Sequence, residues 1–159
     1  MVLRPLTAED RRVVNGWLRD GETAVFMGAD LGPWEVSVSS PEKMAMAIDT
    51  VGGRFIGYLA LRDVSWRLRE AELRICIGDK DFWGRGLGAD ALETYLRYIF
   101  AIVRLRRIYL RVYADNRRAI RCYLKCGFRP RGILWAGRRR ERGFRDLVLM
   151  EALLAEVAG

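Results

Sequence analysis

Asp81-Phe82-Trp83-Gly84-Arg85-Gly86-Leu87-Gly88-Ala89-Asp90 lies between an apolar alternating run that ends at Ile77 and a long run of helical periodicity that starts at Leu87. Three glycines at alternate positions let the backbone turn tightly and approach a ligand without Cβ obstruction. A helix opening here leaves its first N–H groups without internal partners, and its dipole favours negative charge at that end. Arg85 adds a fixed positive charge and a fork of donors suited to phosphate oxygens. The stretch reads as an anion cradle, or, on its own residues alone, as a tight strand-to-helix connection. Its flanks decide.

Upstream, Glu70-Ala-Glu-Leu-Arg-Ile-Cys-Ile77 alternates, with Leu73, Ile75 and Ile77 facing one way and Glu72, Arg74 and Cys76 the other. The aromatic and β-branched run Arg54 to Leu61 precedes it. The turn Val51-Gly-Gly53 joins that run to Met44 to Asp49, which fits a strand better than the helix its composition also allows. An antiparallel meander therefore leads into the glycine loop. Earlier still, Glu22 to Ser40 has only weak periodicity, and such long connections often cover a substrate mouth. At the start, Val2 to Leu6 is extended. Thr7-Ala-Glu-Asp10 then forms a capping box for a helix with Val13, Val14, Trp17 and Leu18 on one face and Gly21 at its end.

Downstream, Leu87, Ala91, Leu92, Tyr95, Leu96, Ile99, Phe100 and Val103 mark one face of a helix of about 16 residues. Arg107 to Tyr113 is a strand, and Asn116 to Lys125 is a shorter helix stopped by Gly127. Phe128 to Leu134 and Phe144 to Met150 close the chain as a hairpin around a turn at 137–143. The class is α+β.

At 159 residues the chain has the length of a single domain, residues 1–159. Hydrophobic content of 51% with 30% charged residues is that of a soluble globular protein. No uncharged apolar run approaches the roughly 18 to 20 residues of a membrane span, and Met1-Val-Leu-Arg-Pro5 lacks a signal-peptide core. The expectation is a cytoplasmic protein without membrane contact. Cys76, Cys122 and Cys126 are an odd set that reads as free thiols, and with no histidine the last two lack the further ligands a zinc site needs. No metal is expected.

The net charge of +8 is uneven. Residues 1–80 carry 11 basic and 12 acidic side chains, whereas residues 81–159 carry 17 and 8. The half with the glycine loop is the basic half, which points to a polyanionic partner: a phosphorylated cofactor or a nucleic acid.

Three landmarks coincide in order: Trp83-Gly-Arg-Gly-Leu-Gly88 between strand and helix, a strand ending at Tyr113-Ala-Asp-Asn116, and Asn116-Arg-Arg-Ala-Ile-Arg-Cys-Tyr-Leu-Lys-Cys-Gly-Phe128. The chain resembles the GNAT superfamily of acetyl-CoA-dependent N-acetyltransferases, in its ribosomal-protein N-terminal and polyamine-like branch. The resemblance implies a mixed, mostly antiparallel central sheet of six to seven strands with helices on both faces. It implies that the cosubstrate is acetyl-CoA, with its pyrophosphate on the backbone amides of Arg85, Gly86, Leu87, Gly88 and Ala89. The pantetheine arm would pair with the backbone of Ile75, Cys76 and Ile77, where that strand splays from Arg107 to Tyr113. Asn116 would hydrogen-bond the same arm, a role compatible with capping the helix it precedes. Tyr123 would protonate the departing thiolate, or else be a buried tyrosine with a structural hydroxyl bond. A homodimer is left open.

The reaction asks for a neutral amine to attack the thioester carbonyl, and positioning supplies much of the rate. With reference pKa values of about 10.4 for lysine and 7.7 to 8.0 for an α-amine, a terminal amine or another low-pKa amine suits a chain without histidine. Glu72, Glu70 or a water relay remains for the base, with Glu72 favoured by position. The expected acceptor is a small-molecule or peptide amine. Gly84 to Ala89 also satisfies a dinucleotide-binding Gly-x-Gly-x-x-Ala, but that loop normally follows the first strand of a βαβ unit. Arg138-Arg-Arg-Glu-Arg142, near Trp135 and Phe144, fits either nucleic-acid contacts or, more simply, a solvated hairpin turn. A CoA-binding domain of the same fold without transfer activity is the remaining alternative.

Overall fold

Strand β4 (Glu70–Ile77) is where the architecture divides. The computed structural model describes residues 1–23, 44–135 and 146–157. On one side of β4 lie β3 (Phe55–Ser65), β2 (Met46–Asp49) and β1 (Val2–Pro5); on the other lie β5 (Arg107–Tyr113), β7 (Asp146–Leu153) and β6 (Arg129–Trp135). The seven strands form one sheet in the order β1-β2-β3-β4-β5-β7-β6. Every neighbouring pair is antiparallel except β4 and β5, which are parallel. A parallel pair needs a crossover connection, and helix α2 (Leu87–Tyr98) supplies it.

The parallel pairing is brief. It covers Glu70 with Arg107, Ala71 with Ile108 and Glu72 with Tyr109, and then stops. On its other edge β4 stays paired to β3 as far as Ile77 opposite Gly57, while β5 stays paired to β7 as far as Tyr113 opposite Leu147. The sheet therefore opens as a V from Leu73 onward, leaving main-chain groups on the inner edge of β4 without a strand neighbour.

Alternation along β4 builds the two faces. Ala71 and Leu73 join α2 residues Ala91, Leu92, Tyr95 and Leu96 in the main core, together with Ile56, Leu59, Ile108, Leu110, Phe128 and Met150. On the opposite face Cys76 packs with Leu6, Val14, Ala47 and Tyr58, and with Trp17 and Leu18 of α1 (Ala8–Arg19). Trp17 sits so close to the end of β4 that a Cβ on Gly78 would stand 2.0 Å from its ring. Only a glycine allows that helix to dock there.

Most elements fall where the periodicity places them. The Thr7 capping box forms: the Thr7 N–H donates to Asp10 Oδ2 at 2.8 Å, and the Asp10 N–H donates to Thr7 Oγ1 at 3.4 Å. Two details of α1 differ from the sequence reading. Val13 is exposed, since the sheet reaches only Val14, Trp17 and Leu18, and the helix ends at Arg19 with Asp20 rather than Gly21 as its cap. Strand β3 runs on to Ser65, because Arg62 and Ser65 continue to pair with Glu72 and Glu70 across a bulge. Helix α2 passes into a π-helical turn, Ile99–Val103, that ends at Arg104 in the left-handed region.

Residues 24–40 of the expected connection Glu22 to Ser40, the turn at 137–143 and the arginine run at 138–142 lie outside the described residues. Among the described residues no helix is long and apolar enough to cross a membrane, and no group of three or more histidine, cysteine or carboxylate side chains could hold a metal ion.

Candidate active site

The V between β4 and β5 opens into a cavity of about 340 Å³. Its walls are the free half of β4, the glycine loop with the start of α2, and helix α3 (Arg117–Lys125). Ile75, Cys76, Ile77, Arg85, Gly86, Leu87, Gly88, Ala89, Asn116 and Tyr123 all line it. The structure thus gathers every sequence-derived binding residue and one of the two catalytic candidates around one space. Glu72 does not line it.

The loop has the geometry of a cradle. A short 3₁₀ turn, Lys80–Phe82, brings Trp83 back so that its indole N–H donates to the Ile77 carbonyl at 2.6 Å. Gly84 and Gly86 adopt φ of +74° and +76°, where a side chain is strained. Gly86 is the N-cap of α2 and offers no side-chain oxygen to the first-turn amides. The first helical bond is Asp90 N–H to Gly86 carbonyl at 3.1 Å. A Cβ on Gly88 would lie 3.7 Å from Ile77 Cγ1 and 4.0 Å from Cys122 Sγ, so this position keeps open the space between β4 and α3.

Basic side chains surround the cradle. The Arg85 guanidinium lies 5.1 Å from the Phe82 ring centroid, and that of Arg118 lies 4.6 Å from the Trp83 ring. Arg118, Arg121, Cys122 and Lys125 all line the cavity. Their spacing of three, four and seven residues is that of one helical face. The sequence reading missed the three cations, although this period was visible in it. Phe82 and Trp83 are partly buried, and their rings support Arg85 and Arg118. Bare amides, a helix N-terminus and four cations beside an apolar slot fit the pyrophosphate and pantetheine of a CoA thioester.

Asn116 caps α3, its side chain accepting from the Ala119 N–H at 3.3 Å, and it also lines the cavity. The cap uses the side-chain oxygen, which directs attention to the amide nitrogen as a donor. Tyr123 sits further along α3, its ring centroid 5.8 Å from that of Phe128. Burial pushes the Tyr123 phenol above its ordinary range, with Cys122 and Cys76 adding to the effect and Arg74 opposing it. The phenol therefore holds its proton at neutral pH, as a proton donor must. Burial likewise pushes up the Cys76 thiol, which disfavours a nucleophilic role.

Glu72 stands at the last paired position of β4, where the V begins. It is buried, with only 3% of its surface accessible. Arg111 Nε donates to its Oε1 at 2.8 Å, Arg62 Nε lies 3.4 Å from Oε2, and Arg74 Nε lies 3.9 Å from Oε1. Glu70, the other candidate base, pairs with Arg107 at 3.1 Å. No signal along the chain foretold this gathering, because it depends on strand register.

A seven-stranded sheet that splits after one short parallel pairing, with a glycine-rich helix start and a tyrosine across the split, defines the acetyltransferases of the GNAT type. A model of the acetyltransferase (GNAT) domain matches residues 1–129, and the chain belongs to that family. Its activity is acetyl transfer from acetyl-CoA to an amine. The spermidine N(1)-acetyltransferase of Escherichia coli K12 is 29% identical over 142 residues, covering 83% of this chain and 74% of that enzyme. The Vibrio cholerae spermidine N(1)-acetyltransferase is 34% identical over 79 residues, half of this chain and 45% of its own. A crystal structure of the Vibrio cholerae spermidine N-acetyltransferase with CoA and spermine superposes with a TM-score of 0.82 at 22% identity, covering 99% of this chain and 98% of that one. The last likeness is one of fold.

Proposed function

We propose that residues 1–159 form a single cytoplasmic domain that acetylates a primary amine of a small molecule or peptide, with the cavity between β4 and α3 as its acetyl-CoA site. One observation carries this reading: the loop amides, the cations of α3 and Tyr123 all line the same cavity. In this assignment Arg85, Gly86, Leu87, Gly88 and Ala89 hold the pyrophosphate, with Arg118, Arg121 and Lys125 screening its charge. Ile75, Cys76 and Ile77 offer main-chain groups to the pantetheine arm, although the Ile77 carbonyl already accepts from Trp83. Asn116 donates to the same arm.

Tyr123 gives its proton to the departing thiolate, for which its raised phenol pKa keeps it protonated. Glu72 stands at the last paired position of β4, outside the residues that line the cavity. Its carboxylate is already engaged by arginines, so its main part is to hold those arginines in place. The acceptor amine then arrives neutral or loses its proton to water, which favours an amine of modest pKa. The relatives are named for spermidine, so polyamines form one class to assay beside α-amines. Incubation with acetyl-CoA and amine panels should release free thiol in step with acceptor acetylation. Absence of thiol release with every amine would count against the reading.

A further inference from the structure

The end of the sheet remote from the cavity carries exposed apolar and basic side chains that the acetyl-CoA site does not use. Strands β3 and β4 are joined there by the turn Trp66-Arg67-Leu68-Arg69, all four residues exposed. The cavity uses β4 from Ile75 onward, whereas this turn precedes Glu70 at the other end of the strand. Main-chain bonds fix the turn. Ser65 Oγ accepts from the Leu68 N–H at 3.2 Å, Arg69 takes a left-handed φ of +54°, and the Arg69 carbonyl accepts from the N–H groups of Arg106 and Arg107 at 2.7 and 3.2 Å. The turn is thereby docked against the segment that links the π-helical turn to β5, which brings Ile102, Arg104 and Arg106, also exposed, to the same end.

Apolar surface and positive charge coincide here. Leu68 is 63% exposed, Ile102 68% and Trp66 49%. Arg67, Arg69, Arg104 and Arg106 accompany them, and none of these four forms an ion pair with a carboxylate of the described residues. The carboxylates that flank the turn, Asp63 and Glu70, lie instead against Arg62 and Arg107. Four arginines repel a second copy of the same surface, so the patch calls for an anionic partner. The aliphatic side chains narrow the choice. A nucleic-acid backbone rewards the arginines and a base stacks on Trp66, but neither removes Leu68 or Ile102 from water. An anionic bilayer surface serves all of them: headgroups meet the guanidiniums, the indole sits at the interface, and the aliphatic tips enter the acyl boundary.

We propose that this end of the protein, the β3–β4 turn together with the segment from Ile102 to Arg106, is a peripheral docking surface for an anionic membrane. The contact is superficial and reversible, and it leaves the cavity at the opposite end of β4 open to solvent. Composition gives no sign of such a surface. A membrane span leaves a continuous apolar run, whereas peripheral contact needs only a few side chains that the fold collects. The expectation of a protein without membrane contact is revised for this one surface. The inference does not depend on the acetyl-CoA assignment.

The test is sedimentation of the full chain with vesicles of phosphatidylcholine alone or mixed with phosphatidylglycerol. Binding to the mixed vesicles should exceed binding to the neutral ones by about tenfold or more, and should weaken as salt rises. Arg67→Gln combined with Arg106→Gln should lower binding to the mixed vesicles by about tenfold, and Leu68→Asn by about threefold, with the melting temperature unchanged in both. The Leu68→Asn loss should persist at high salt, where the arginine effect is screened. Equal binding to both kinds of vesicle, binding to neither, or variants that bind as wild type overturns the inference. Binding of a single-stranded RNA oligonucleotide that needs the arginines but ignores Leu68→Asn, with no binding to vesicles, overturns it as well and assigns the patch to nucleic acid.

Discussion

Replacing Tyr123 by phenylalanine removes one hydroxyl and leaves the ring that packs 5.8 Å from Phe128. CoA affinity should be nearly unaltered, because the ring still closes the same stretch of cavity wall. The chemical step should slow. General acid catalysis contributes about 10²- to 10⁴-fold, but a thiolate with a parent pKa near 8.5 leaves readily, so the low end applies. The expected loss is about 10- to 100-fold in kcat, or about 1.4 to 2.7 kcal/mol of barrier. The raised phenol pKa sets a second expectation: the wild-type rate should show no loss from Tyr123 ionisation until pH exceeds the ordinary phenol range near 10. The assay is steady-state thiol release with saturating acetyl-CoA, repeated across pH. A phenylalanine variant within about twofold of wild type would refute the role given to this hydroxyl.

Charge removal at Arg121 and Lys125 together should weaken CoA binding by about three- to tenfold at low salt, and the difference from wild type should shrink as ionic strength rises, measured by calorimetry in two buffers. Thr7→Ala breaks the capping box and should cost about 1 kcal/mol, seen as a melting temperature lower by about 2 to 4 °C. Acid stability depends on Asp10 and Glu151. Burial works to raise both carboxyls, yet Arg4 with Thr7, and Arg107 with Arg131, hold them below their ordinary values. Their contribution is therefore complete above the unfolded values of about 3.9 and 4.3 and is lost as pH falls below them. Thermal melts should be flat from about pH 5 to 7 and fall below about pH 4, and Arg107→Gln should reduce that fall.

Local signals carried most of the secondary structure. The alternation of Glu70 to Ile77, the run Arg107 to Tyr113, the Thr7 capping box and the Asn116 cap each need only a few neighbouring residues, and each forms as its pattern indicates. The V between β4 and β5 has no such signal. It came from family likeness, because nothing within Leu73 to Ile77 states that the strand loses its neighbour after Glu72. Arg118, Arg121 and Lys125 were legible as one helical face but were not assigned to the site. The arginines around Glu72 were illegible for a physical reason. Arg62 reaches it across a strand pairing that ends in a bulge, and Arg111 from a strand 39 residues further along. Val13 shows the same limit in reverse, since a helical face has no burial until something packs on it. The π-helical turn at Ile99–Val103 likewise continues an apolar face that sequence reads as plain α-helix.

The central claim is that the cavity between β4 and α3 receives acetyl-CoA, and the most direct measurement is a calorimetric titration of CoA into wild type and Gly88→Val. A Cβ at Gly88 already lies 3.7 Å from Ile77 Cγ1, so valine places its methyls in the slot without requiring a left-handed backbone. Wild type should bind one CoA per chain, and the variant should bind at least about tenfold more weakly with an unchanged melting temperature. Equal affinity in the two proteins, or no heat with wild type, would contradict the account.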